Sequence, residues 1–213
     1  MIDGEVAARE WVANLPECDP AALERLERLI SLLVEENEKQ NLVAAASLGE
    51  VWQRHIADSA QLLAHVPRET SSPWLDLGTG AGFPGLVVAA LRPECEIVMI
   101  ESRGRRVEWL ERARIAMNLN KAKVIGARLE KVDTFPACVI SARAFAPLDR
   151  LLDLSARFST ERTMWLLPKG RSARQELEML RGWNHVFHVE QSLTDSDAGV
   201  IVGRLSGRKG RKS

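Results

Sequence analysis

The chain has 213 residues, 46% of them apolar, enough for one α/β domain with an appendage and a sizeable buried core. No run approaches the ~18 uncharged apolar residues of a membrane span, and Met1-Ile2-Asp3-Gly4-Glu5 is not a signal peptide. Lys plus Arg and Asp plus Glu each number 29, so net charge is zero, and the scattered Cys18, Cys95 and Cys138 argue against disulfides and for a reducing cytoplasm.

Asp19-Pro20 reads as an N-cap with proline at the first helical position, and Leu23, Leu26, Ile30 and Leu33 carry that helix to about Glu38. A second helix is expected over 48–66, on Val51, Ile56, Leu62 and Leu63. Pro67 to Pro73 reads as a connection, dividing a helical extension (1–70) from a second domain (71–206) and a basic, disordered tail (207–213). Beyond it come strands at 74–78, 96–101, 122–126, 137–142 and 162–167, with helices at 84–92, 104–118, 147–157 and 171–182. Two closing strands follow, near 184–190 and 199–205. That alternation means an α/β fold, a mostly parallel sheet with helices on both faces. The four histidines, at 55, 65, 185 and 188, lack ligand spacing, so no metal is expected.

Charge is uneven along the chain. Residues 1–70 hold 13 acids and 6 bases, whereas residues 101–131 hold 4 acids and 9 bases. A basic middle and tail suggest one face for a polyanion, and Arg103, Arg105 and Arg106 are placed to hold phosphates.

Trp74-Leu75-Asp76-Leu77-Gly78-Thr79-Gly80-Ala81-Gly82-Phe83-Pro84-Gly85 is a buried strand ending in an acid, then a glycine loop, then a helix start. The glycines let the backbone approach a ligand closely, and the helix N-terminus faces it with unpaired N–H groups. Gly80-x-Gly82-x-x-Gly85 fits a dinucleotide fingerprint, which keeps an NAD(P)-binding oxidoreductase as an alternative. Asp76-x-Gly78-x-Gly80-x-Gly82 instead resembles motif I of class I S-adenosyl-L-methionine (AdoMet) methyltransferases. A pyrophosphate disfavours a nearby anion and a sulfonium welcomes one, so Asp76 moves the choice to AdoMet. Glu101, ending the next strand, is suited to accept from both ribose hydroxyls. On this reading Asp76→Ala and Glu101→Ala both weaken cofactor binding while the chain still folds.

Downstream blocks narrow the reading. Ile140-Ser141-Ala142-Arg143-Ala144-Phe145-Ala146-Pro147-Leu148 and Leu167-Pro168-Lys169-Gly170, with Asn41-Leu42, Arg54-His55-Ile56-Ala57-Asp58-Ser59 and the Phe-Pro-Gly loop ending, resemble the bacterial 16S ribosomal RNA guanine-N7 methyltransferases, the RsmG (GidB) family. The resemblance runs from about residue 40 to 182. It implies a Rossmann-like class I methyltransferase with a seven-stranded sheet, acting on a guanine N7 in 16S rRNA of the small ribosomal subunit. It also implies cofactor contacts at Gly78, Phe83, Leu129, Glu130 and Arg143, with Arg143 and Lys169 catalytic.

The remaining substrate contacts read from the sequence are Arg54, His55 and Lys169, with an Arg54–Asp58 helical ion pair as the structural alternative. Guanine N7 carries its own lone pair, so no general base is required. The Asn/Asp-Pro-Pro-aromatic block of exocyclic-amine methylation is replaced by Ser141-Ala142-Arg143-Ala144. Where many family members have a basic residue before the last strand, this chain has Asp195-Ser196-Asp197-Ala198-Gly199. A monomer is expected. A small-molecule methyltransferase and a non-enzymatic ribosome-assembly protein are the competing readings.

Overall fold

In a computed structural model, which describes residues 1–70 and 73–210, the helix opened by Asp19 forms as its sequence dictates. α2 (Pro20–Asn37) starts where the Asp19 carboxylate accepts the Ala22 N–H at 2.6 Å. It buries Leu26, Leu29 and Leu33. A preceding helix, α1 (Glu5–Ala13), escapes the sequence reading because only Ala8 and Val12 are buried along it.

The helix expected over 48–66 is broken into unlike turns: a 3₁₀ stretch Ala45–Glu50, a π turn Trp52–Ala57, one α turn, α3 (Asp58–Ala60), and a 3₁₀ end Gln61–His65. The causes are local. Glu5 of α1 accepts the Trp52 and Gln53 N–H groups at 3.0 and 2.9 Å, capping the π turn from outside. Ser59 donates its hydroxyl to the His55 carbonyl at 2.6 Å, competing for the ladder. The widened turn buries His55, Ile56 and Ala57 in succession.

The remainder is an α/β layer. β1 (Trp74–Leu77), β2 (Ile97–Glu101), β3 (Ala122–Gly126), β4 (Val139–Ser141) and β5 (Met164–Gly170) pair in parallel; β8 (Gly199–Gly203) and β7 (His188–Gln191) add antiparallel strands beside β5. The sheet order is β3-β2-β1-β4-β5-β8-β7, seven strands as expected. α4 (Gly85–Leu91) and α5 (Gly104–Ala116) follow β1 and β2, while α6 (Leu148–Ser155) and α7 (Ala173–Met179) flank β5 in sequence. One apolar cluster joins α1, α2 and α4 to one sheet face, and a second lies under α6 on the other.

Three expectations are corrected. The single strand over 184–190 is two: β6 (Trp183–His185) pairs with β9 (Leu205–Arg208) in a separate ribbon, and only β7 joins the main sheet. The split follows from Phe187, whose N–H donates to His185 Nδ1 at 3.1 Å and turns the chain. Residues 207 and 208 of the expected disordered tail belong to β9, while 211–213 lie outside the described residues. The strand expected at 162–167 runs on through Pro168-Lys169-Gly170: pairing with β8 shifts register between Pro168 and Gly170, and the bulge re-aims Lys169. No described helix is long and apolar enough to cross a membrane.

Candidate functional site

At the C-terminal edge of the parallel strands the chain forms two chambers. A cavity of about 520 Å³ lies over β1, β2 and the loop after β3, within the usual range for a small-molecule site. A larger cleft of about 1540 Å³ lies beside it, between the β4 and β5 ends, the N-terminal segment and the loop before β8. Ala144, Phe145, Ala146 and Pro147 line both and form the wall between them.

The smaller cavity is organised by Glu101. Its Oε1 accepts the Ser102 and Arg103 N–H groups at 2.7 and 2.9 Å, and its Oε2 accepts the Gly80 N–H at 3.1 Å. These bonds aim the carboxylate and tie the glycine loop to β2, leaving one lone pair, on Oε2, for a ligand hydroxyl. Gly126 stands opposite Glu101 in the sheet register, so Leu129 and Glu130 follow directly beside it. Leu129 is held from behind by Arg157, which donates to the Leu129 and Val132 carbonyls. Gly78 lies in the left-handed region at φ 60°, and a Cβ there would run into the Phe145 ring. This cradle, acid and apolar wall suit AdoMet: Glu101 could hold the ribose, Leu129 and Glu130 the adenine, and Gly78 could admit the methionine end.

The rest of the loop contacts expected from sequence lie behind the cavity. Asp76 is fully buried; Oδ2 accepts the Gly85 N–H at 3.0 Å and Oδ1 the Ser141 hydroxyl at 2.7 Å. Burial raises its pKa from 3.8 to about 6, against the pull of those two hydrogen bonds. Asp76 thus ties β1 to β4 and to the start of α4, and lines neither chamber. Gly82, at φ 100°, meets Leu86 and Leu110, a packing position. Gly80 serves through its N–H to Glu101.

Phe83 is also displaced from its expected place. It is buried on the far side of the loop, stacked on His55 with ring centroids 5.0 Å apart, and the Arg143 guanidinium lies 5.1 Å from its centre. Arg143 therefore faces the larger cleft, donating to the Arg54 carbonyl at 3.2 Å, to Asp58 Oδ2 at 3.3 Å and to His55 Nδ1 at 3.3 Å. A guanidinium only donates, so Nδ1 accepts and the His55 proton sits on Nε2, facing Ser47 Oγ at 2.9 Å. Asp58 pairs with Arg143, and Arg54 pairs with Glu50 at 3.3 Å, so the alternative Arg54–Asp58 pair does not form.

Lys169, with a side chain 7% exposed, donates to the Ala146 carbonyl at 2.5 Å and pairs with Glu176 at 2.9 Å. Glu176 also accepts the Leu148 N–H at 2.8 Å and the Ser172 hydroxyl at 2.7 Å. The Lys169–Glu176 pair therefore pins the C-terminal end of the dividing wall, at Ala146 and Leu148, and is committed to protein partners. Arg103 and Arg106 line the smaller cavity, while Arg105 is exposed and lines neither. The sequence reading missed Phe145, Arg128, Arg150, Asp58 and Glu176. Arg128 was legible beside Leu129, but nothing in the local sequence marks Glu176.

Burial, then Arg143 and Arg54, push the His55 pKa from 6.5 down to about 4, so the ring is neutral at pH 7. Between pH 6.5 and 4 the unfolded chain takes up a proton that folded His55 refuses, and stability is lost as pH falls. Asp76 acts oppositely: its pKa is raised, so its contribution grows as pH falls from about 6 to 3.8. His55→Gln removes the first effect and leaves the contributions of the other groups in place. Urea midpoints at pH 7 and 4.5 should show the variant gaining about 1–2 kcal/mol on acidification relative to the wild type, after allowance for solvent screening. Identical pH dependence in the two chains would contradict this assignment.

The GidB family model, described as rRNA small subunit methyltransferase G, matches residues 22–198. The ribosomal RNA small subunit methyltransferase G of Erythrobacter litoralis is 60% identical over 205 residues, covering 96% of this chain and 98% of the relative. That of Novosphingobium aromaticivorans is 56% identical over 204 residues, covering 94% and 88%. Among solved structures the fold resembles cofactor-bound Rv0187 from MTB, with TM-score 0.64, 12% identity and 98% and 100% coverage. It also resembles a mutant of MtNAS in complex with S-adenosylmethionine, with TM-score 0.60, 13% identity and 96% and 84% coverage. Matched over most of its length by that model and by relatives of more than half identical sequence, the chain belongs to the GidB family, rRNA small subunit methyltransferase G.

Proposed function

We propose that the chain transfers a methyl group from AdoMet to N7 of a guanine in 16S rRNA of the small ribosomal subunit. The observation that carries this reading is the pair of chambers sharing one thin wall, Ala144 to Pro147. The smaller cavity suits the methyl donor and the larger cleft a nucleobase. AdoMet supplies an electrophilic methyl on its sulfonium; what the chain adds is position. Glu101, Leu129 and Glu130 orient the adenosine end, Gly78 admits the other end to the wall, and the Lys169–Glu176 clamp holds that wall in place. Arg143 acts from the cleft side, as a positioning residue or a donor to the base.

The chemistry of the cleft favours N7. His55 has a partner on each ring nitrogen, Asp58 accepts from Arg143, Gln61 and Thr194, and Lys169 is paired. These partnered groups are poorly placed to take a proton, and a nitrogen with a free lone pair needs none to be taken. Alignment and exclusion of water then supply the rate, worth ~7–11 kcal/mol in favourable cases. Residues 1–70 read as a helical extension that walls the cleft, residues 71–206 as the catalytic domain, and the whole as a cytoplasmic monomer.

Labelled methyl should pass from AdoMet into small-subunit rRNA lacking the mark, with activity falling steeply as salt rises. Titration with S-adenosylhomocysteine should saturate and titration with NADH should not. Binding of NADH alone would overturn the reading, as would turnover confined to small metabolites.

A further inference from the structure

The two chambers differ in how their charges are matched. Each Arg and Lys lining the larger cleft has an acidic partner: Arg54 with Glu50, Arg143 with Asp58, Lys169 with Glu176 and Arg171 with Asp197, at 2.9–3.3 Å. Asp197 stands just off the lining; with Glu50, Asp58, Glu176, Asp3 and Asp195 on it, the cleft carries four Arg and Lys against five acids. The cavity assigned to the methyl donor carries four arginines, Arg103, Arg106, Arg128 and Arg150, against Glu101 and Glu130. None of the four makes an ion pair or a side-chain hydrogen bond among the described residues, and Arg103, Arg128 and Arg150 are exposed.

They reach that mouth from separate elements. Arg103 precedes α5, Arg106 lies in its first turn with Nη1 beside Gly80, Arg128 leads into Leu129, and Arg150 stands on α6. AdoMet is itself a cation with a single carboxylate, so a ring of four unmatched guanidiniums exceeds what it can use. A phosphodiester chain, one negative charge per nucleotide, is the polyanion that such a ring suits, and arginine forks match phosphate oxygens.

Resting on the reading of this chain as an rRNA methyltransferase, we infer that the RNA backbone crosses the mouth of the donor cavity on Arg103, Arg106, Arg128 and Arg150. Only the target base turns past the Ala144–Pro147 wall into the charge-matched cleft. The RNA then lies as a cover over the cofactor. Cofactor binds before RNA, and the demethylated product leaves after it.

The test is salt-dependent binding of small-subunit rRNA lacking the mark, by the full chain and by the double variant Arg128→Gln/Arg150→Gln. The slope of log affinity against log salt should flatten by about 2, and RNA affinity near 150 mM salt should fall by about tenfold or more. Affinity for S-adenosylhomocysteine without RNA should stay within about threefold of the wild type, because the Glu101, Leu129 and Gly78 contacts are untouched. Arg128→Lys/Arg150→Lys should restore most of the slope, since lysine still meets phosphate as a point charge. Arg171→Gln, on the paired side, should leave it unchanged. An unaltered slope in the double variant, or an equal loss in Arg171→Gln, would overturn the path. Loss of S-adenosylhomocysteine affinity in place of RNA affinity would assign the rim to the cofactor instead. Entry of S-adenosylhomocysteine into a preformed RNA complex at the rate seen with the free chain would overturn the binding order. Methyl transfer by the wild-type chain to the same RNA, measured alongside, reports on the proposed function separately from the slope.

Discussion

Glu101→Ala should raise the dissociation constant for S-adenosylhomocysteine by roughly 100-fold while leaving the fold intact. The carboxylate is pre-aimed by the Ser102, Arg103 and Gly80 N–H groups, so a ribose hydroxyl would meet the remaining Oε2 lone pair without reorganisation. A hydrogen bond to a charged acceptor contributes about 1.5–3 kcal/mol, and one near the top of that range sets the expected loss. Two of the three N–H groups left behind, those of Ser102 and Arg103, sit at the cavity wall where water can replace the carboxylate, which limits the cost to folding. Glu101→Gln, keeping one acceptor, should fall between. Calorimetric titration with a circular-dichroism check decides it; affinity unchanged in Glu101→Ala would place the ribose elsewhere.

Asp76→Ala should do the reverse. Its oxygens face the Gly85 N–H and the Ser141 hydroxyl, with no exposed surface, so truncation strands two buried donors and leaves a void. About 3 kcal/mol of stability should go, read as a fall of roughly 6–12 °C in melting temperature for a chain of this size. Affinity for S-adenosylhomocysteine in the folded fraction should change by no more than about fivefold. A variant that melts normally but loses the cofactor would return Asp76 to the cavity. The two acids look equivalent in sequence, each closing an apolar strand beside the glycine loop. The structure separates them by what they face.

That contrast marks where sequence reading works here and where it stops. The parallel strands, their helices and the position of Glu101 follow from apolar runs and turn residues, which are local and survive into the fold. Asp76, Arg143 and Lys169 were recognised as significant, but their directions were not legible. Arg143 turns away from the smaller cavity because His55, Phe83 and Asp58, from a broken helix and a distant loop, together form its socket. Lys169 turns inward because a bulge with β8 re-aims it onto Glu176. The π turn that presents His55 depends on Glu5, 47 residues before Trp52, and on Ser59 bonding backward. The arginine rim was half visible: Arg103 and Arg106 stand together after β2, whereas Arg128 and Arg150 join them only through the crossover connections of the sheet.

The most direct test of the account is to locate the methyl group. Small-subunit rRNA lacking the mark, incubated with this chain and labelled AdoMet, should carry the label on a single guanine at N7, detected by reductive strand cleavage at that base and by nucleoside analysis. Label on an exocyclic nitrogen, on a ribose hydroxyl or on no RNA at all would contradict it.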